Sequence, residues 1–164
     1  MSRQVLSENP FASLNTVAKQ AGVGPGTLYR HFPTREALVL AVYEHEIENL
    51  ADTVADLLDR HAPLDALRVW FLRLAGYVRI KHGLGEALHS APAQDVVDRS
   101  YAPVTGAIAT LLAAGVAAGE IRDGIEAGDV LLVMSALWRV GPGEAGDRQA
   151  EHILELAIAG LRPR

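Results

Sequence analysis

A chain of 164 residues is the size of one or at most two small domains. It has no cysteine, which excludes disulfides, thiolate metal sites and a thiol nucleophile. The composition is 49% hydrophobic and 21% charged, too apolar for a disordered chain, and its apolar share is mainly Ala, Leu and Val, which favours helix over strand.

Twenty acidic against 15 basic side chains give a net charge of −5, which speaks against nucleic acid if the charge is spread evenly. It is not. Residues 1–35 carry Arg3, Lys19, Arg30 and Arg35 against Glu8 alone, a net +3, while the rest holds 11 basic and 19 acidic side chains, a net −8. A basic head on an acidic body is compatible with a nucleic-acid contact confined to the head. The opening MSRQVLSENP has no apolar run and does not read as a secretory signal. Tyr101 to Gly119 is 19 residues without a charge, but its prolines, glycines, threonines and alanines read as a helix in a soluble core rather than a membrane span. The expected compartment is the cytoplasm.

In chain order, Arg3 to Glu8 reads as a short helix stopped by Asn9-Pro10. Ser13 is an N-cap for a helix over Leu14 to Ala21, which Gly22 ends. Pro25 opens a third helix running to about Phe32, and Pro33 stops it. Thr34 caps a long fourth helix. In it Leu40, Tyr43, Ile47, Leu50, Val54 and Leu57 form one apolar seam at helical spacing, with Glu44, Glu46, Glu48, Asp52, Asp56 and Asp59 on the remaining surface. Pro63 breaks that helix and starts a fifth, Leu64 to about His82, apolar on more than one side. Gly83 and Gly85 mark a break before a short helix around Glu86 to His89. Gln94 to Ala118 is the next long helix, with a kink expected at Pro103. Ala127 to Val140 is another helix, Gly141 to Gly146 an exposed loop, and Asp147 to Leu161 the last helix.

The densest pattern is helix, glycine turn, helix over residues 13–32, SLNTVAKQAGVGPGTLYRHF. Val17, Ala21, Val23, Leu28 and Phe32 are expected to form a small core that fixes the two helices. The second helix then presents Gly24, Pro25, Thr27, Tyr29, Arg30 and His31. None is acidic and four donate hydrogen bonds, the surface a helix needs to enter the DNA major groove.

These residues carry a resemblance. GVGPGTLYRHFPTREAL, Gly22 to Leu38, resembles the recognition-helix signature of TetR/AcrR transcriptional regulators, and SLNTVAKQA is similar to the helix before it. GLGEAL, AAGEIRDG and DVLLVMSALWRV are similar to the SbtR-like C-terminal subgroup. The resemblance implies an all-α fold, with a helix-turn-helix head over 1–43 and a ligand-binding and dimerising body over 44–164. It implies phosphate contacts from Tyr29 and Arg35, a DNA-facing His31, and a phosphate or base contact from Thr27. Gly24, Pro25 and Gly26 fall where base contacts vary, and two glycines there leave few side chains to read bases. It also implies a first helix of about four turns, the usual length of such an element, against which Arg3 to Glu8 is short.

Under this resemblance the expected function is repression of transcription, relieved by an effector. The expected partners are operator DNA, a small apolar or aromatic molecule and a second copy of the chain, with no membrane and no cofactor. The expected effector lining is Trp70, Tyr77, Leu88, Tyr101, Ile108 and Met134. The expected dimer surface is Ala136, Leu137, Leu154, Ala157, Ile158 and Leu161 on the last two helices. Two other readings stay open. One is a regulator that keeps its ligand but no longer binds DNA. The other is an enzyme-like or metal-dependent binder using His82, Glu86 and His89, ligand types at helical spacing near a helix break. Gly141 to Gly146 lacks the Lys and Ser/Thr of a phosphate loop, and no Gly-x-Ser-x-Gly elbow occurs, so no enzyme is expected.

Overall fold

A computed structural model describes residues 12–82, 91–141 and 143–163, with the backbone alone at 78–82 and 91–93. The regular structure among these residues is helical: α1 Leu14–Ala21, α2 Pro25–His31, α3 Arg35–Asp52, α4 Val54–Arg60, α5 Pro63–His82, α6 Ala91–Ala117, α7 Ala127–Met134, a 3-10 segment Ser135–Arg139, and α8 Glu144–Leu161. The short helices expected at Arg3 to Glu8 and at Glu86 to His89 lie outside the described residues. Two compact units share the chain, Met1–Glu48 with Gly76–Ser100, and Asn49–Ala75 with Tyr101–Arg164. The first unit therefore takes in residues 76–100 as well as the head.

In the first unit, the Ser13 side chain accepts the Thr16 amide at 3.2 Å and caps α1. Gly22 ends α1 at φ 69, a left-handed conformation that a Cβ would strain, and the amides of Gly22 and Val23 close onto the carbonyls of Lys19 and Ala18. Pro25 sits in the first turn of α2. The small core differs from expectation at three positions. Val17 and Leu28 are buried, but Val23, in the turn that closes α1, stays exposed and Ala21 and Phe32 are half-buried; Leu14 and Ala18 are buried with Val17 and Leu28 instead. The Thr34 hydroxyl accepts the Ala37 amide and caps α3.

Tyr43, on the buried seam of α3, has lost its water, and burial pushes its phenol up to about 12, with the side-chain hydrogen bond to Ser100 pulling the other way. The folded state then holds this proton more tightly than the unfolded chain does. The stability it contributes is whole below about pH 10 and is lost as pH rises through about 12. In an alkaline titration of tyrosinate absorbance, one of the four tyrosines is expected to ionise about two units late, and Tyr43→Phe should remove that step. An unchanged titration curve in the variant would assign the late group elsewhere.

The expected seam Leu40, Tyr43, Ile47, Leu50, Val54 and Leu57 is buried throughout, but it spans two helices. The Thr53 hydroxyl and amide both take the Leu50 carbonyl, at 2.8 and 3.1 Å, and this competition ends α3 at Asp52. Glu46, expected on the polar side, is buried and partnered.

In the second unit Trp70 is fully buried, donates Nε1–H to the Leu50 carbonyl at 3.1 Å and meets Phe71 edge-on with ring centroids 5.3 Å apart. The Glu120 carboxylate accepts the Leu64 amide at 3.0 Å, a cap for α5 supplied from a distant loop. Helix α6 runs through Pro103. By length and composition its segment Gln94–Ala117 is apolar enough to cross a bilayer, yet Val104, Ile108, Leu111 and Leu112 are buried within the protein. The helix expected over Ala127 to Val140 is α-helical only to Met134. The Ser135 hydroxyl takes the Leu132 carbonyl at 2.6 Å, and the next turn tightens to 3-10. Helix α8 begins at Glu144, so Glu144, Ala145 and Gly146, expected in a loop, form its first turn. Its far end is closed by Arg122, whose amide and Nε donate to the Leu161 and Gly160 carbonyls at 2.9 and 3.2 Å.

Candidate nucleic-acid interface

The candidate interface is the outer surface of α2 with the start of α3. Gly24, Pro25, Thr27, Arg30 and His31 are exposed, and Tyr29 is 45% exposed. Thr27 and Leu28 return their amides to the Gly24 carbonyl, which closes the first turn of this short helix. A Cβ at Gly26 would meet nothing within 4 Å, and one at Gly24 would touch only the Thr27 hydroxyl. Packing therefore does not require these glycines; they leave the surface bare. No acidic residue occurs from Ser13 to Arg35, and Lys19, Arg30 and His31 sit in the last turns of α1 and α2, where the helix dipole favours positive charge.

Arg35 differs from the others. It is half-buried and donates Nε–H to the Ala12 carbonyl at 3.1 Å, tying the first residue of α3 to the segment ahead of α1. It thus holds the head together as well as supplying a positive charge.

The residues expected around an effector are dispersed. Trp70 and Ile108 are packed core at 0% exposure, Tyr101 is largely exposed, and Tyr77 is half-buried in the first unit. Leu88 lies outside the described residues, as do Glu86 and His89 of the metal reading and the side chain of His82. Met134 does line a cavity, of about 370 Å³, between α7 and α8. Its apolar wall is Val130, Val133, Met134, Leu156 and Ala157, and Arg122, Glu126 and Asp129 supply its polar edge. These three charged residues were not singled out in the sequence, because they look like turn and helix-start residues there.

The expected dimer surface needs correction by position. Leu137, Leu154, Ile158 and Leu161 are buried inside the protomer, because they form the face of α8 and the 3-10 segment that packs inward. Ala136 is exposed and Ala157 half-buried. On α7 and α8 the large apolar side chains left outside are Leu132, Val133 and Leu156. The signal for the first two is the run Val130 to Met134, five apolar residues in a row, more than one helix face can turn inward.

Comparison with known proteins gives these features a common setting. Residues 2–42 match the family of bacterial regulatory proteins, tetR family, and residues 62–163 match the transcriptional regulator SbtR-like C-terminal domain. The crystal structure of a TetR transcriptional regulator, SCO0520 from Streptomyces coelicolor, is similar with a TM-score of 0.83 at 39% identity, over 98% of this chain and 94% of that one. The chain is 44% identical over 43 residues to the HTH-type transcriptional regulator UidR of Escherichia coli, covering 25% of this chain and 22% of UidR. It is 39% identical over 64 residues to the HTH-type transcriptional repressor LfrR of Mycolicibacterium smegmatis, covering 38% of this chain and 33% of LfrR. Both of these matches thus span a third or less of the relative's length.

Proposed function

The chain belongs to the TetR family of bacterial transcriptional regulators, and on that premise we propose that it is a cytoplasmic repressor, binding operator DNA as a homodimer until a small apolar or aromatic effector releases it. The observation that carries the DNA reading is the exposed, non-acidic face of α2, with Thr27, Tyr29, Arg30 and His31 outward and two glycines that let a strand approach. Tyr29 and Arg35 serve phosphates. Pro25, Thr27, Arg30 and His31 are the groups left to reach base edges, a short set that implies modest direct readout. Two copies join through the faces bearing Leu132, Val133 and Leu156, and operator binding by such a dimer requires its two α2 helices to meet successive major grooves, about 34–36 Å apart. Repression is favoured by the match to a relative named as a repressor. The cavity beside Met134 is mostly apolar with a polar edge, and since Val133 and Leu156 belong both to its wall and to the joining face, an effector bound there would lie against the second copy.

The test starts from a random pool of duplexes from which the purified protein selects its operator. Against the selected duplex and an unrelated one, Tyr29→Phe should weaken binding by a similar factor, since phosphate contacts position rather than specify. Arg35→Ala should lower the salt slope by about one unit, and it should also lower Tm because the tie to Ala12 is lost. A protein that selects no sequence would favour a regulator that keeps its ligand but has lost DNA. An unchanged slope in Arg35→Ala would remove its phosphate role.

A further inference from the structure

Within the first unit, α3 is fastened at two places. Arg35 ties its first residue to Ala12, beside the helix-turn-helix. About two and a half turns later, two adjacent residues of α3 meet two adjacent residues of α6. Arg99 Nε donates to Glu44 Oε1 at 2.8 Å, and the hydroxyls of Tyr43 and Ser100, both buried, share a hydrogen bond. We propose that Glu44 and Arg99 are positioning residues for operator binding: their ion pair fixes α3 to the first ten residues of α6, 91–100, and so sets the helix-turn-helix that α3 carries. This rests on the DNA-binding reading and extends it to residues beyond the head.

Three observations support a role beyond packing. A groove of about 310 Å³ lies beside the pair, lined by Ala37, Leu40, Ala41, Asp95 and Val96. Leu40 and Val96 are buried there, but Ala37 and Ala41 are short and leave the groove open, so the polar pairs add ties that apolar packing alone does not supply on that side. Glu44 and, less strongly, Asp95 one turn before Arg99 both attract the same guanidinium. Finally, α6 is soft just beyond the pair. Ser100 takes the Val96 carbonyl through its hydroxyl, Thr105 does the same with Tyr101, and Pro103 offers no amide to the Arg99 carbonyl. This soft stretch coincides with the boundary between the compact units at Ser100.

An ion pair this open to solvent contributes little to stability, so its loss should leave Tm unchanged. Loss of a fixed head geometry costs affinity, because the order must then be imposed on binding. With the duplex selected by the wild-type protein as probe, Glu44→Gln and Arg99→Gln are each expected to weaken binding about three- to five-fold, the scale of an exposed pair. The salt slope should not change, and the charge-reversed double variant, Glu44→Arg with Arg99→Glu, should recover affinity to within about two-fold. Single variants that bind as the wild type does, or a double variant that loses the sum of both single effects, would overturn the proposal. So would a slope lowered by about one unit in Arg99→Gln, which would make Arg99 itself a phosphate contact. If the wild type selects no duplex, the regulator reading falls and the positioning role falls with it; if the wild type binds and the variants bind equally, the positioning role falls alone.

Discussion

Replacing Leu132 and Leu156 together by arginine is expected to leave the protomer folded, convert it to a monomer and cost about a hundred-fold or more in operator affinity. The two side chains are 73% and 76% exposed, so the protomer core does not depend on them. Burying a leucine is worth about 1.5–3 kcal/mol, and a two-fold interface would bury each of them twice, once per copy. Arginine at both positions removes that gain and sets like charges across the symmetry axis. The large effect on DNA follows from avidity, since a dimer delivers its second head at high effective concentration and a monomer cannot. Sedimentation at micromolar protein and titration of duplexes with one or two half-sites separate the two consequences. The monomer should bind a two-half-site duplex no better than a one-half-site duplex. A double variant that still sediments as a dimer would place the interface on another surface. Substitutions at Leu154 or Ile158 do not test this, because those side chains are in the protomer core and a charge there unfolds it.

What the sequence makes legible follows the range of the interactions. The cap at Ser13, the left-handed Gly22, the proline in the first turn of α2 and the Thr34 cap are local events, set by residues within about one turn, and all stand where the residue types place them. The seam from Leu40 to Leu57 is also local in origin, since spacing alone defines it. The break at Thr53 and the 3-10 turn at Ser135 were not read, because a hydroxyl that competes for a carbonyl is indistinguishable in sequence from one that faces solvent. The division of apolar residues between core and surface was only half legible. Five apolar residues at 130–134 announce a surplus, but whether Leu132 or Leu131 is left outside depends on which face meets α8, a long-range choice. For the same reason the face of α8 expected at a dimer interface lies in the protomer core. The exposed face of α2 was legible because a short helix with a buried Leu28 has little else to do with Tyr29, Arg30 and His31 but expose them. The Glu44 to Arg99 pair, joined across 55 residues, left no local signal.

Gly146→Ala should be the most damaging single-methyl change among the described residues that carry a glycine. A Cβ at that position would run into the Gly141 carbonyl oxygen and lie 2.8 Å from its carbon. The obstacle is backbone, not the end of a flexible side chain, so relief requires the turn from Gly141 to α8 to open. That turn is already committed elsewhere. Gly143 holds φ 89 and its carbonyl accepts the Asp147 amide at 2.9 Å, starting α8. Moving it sacrifices the first turn of α8 and the seating of Ala150 and Leu154 behind it. Overpacking of this kind costs about 3 kcal/mol or more, a fall in Tm of about 6–12 °C for a chain of this size. Gly76→Ala is the matched control. Gly76 lies inside α5, is exposed, and its added Cβ would meet nothing within 4 Å, so the better helix former should raise stability by about 0.5–1 kcal/mol. The same chemical change thus has opposite signs at two helical glycines, decided by what lies within 4 Å of each. If Gly146→Ala melts with the wild type, the turn from Gly141 yields without cost, and the start of α8 is set by something other than this contact.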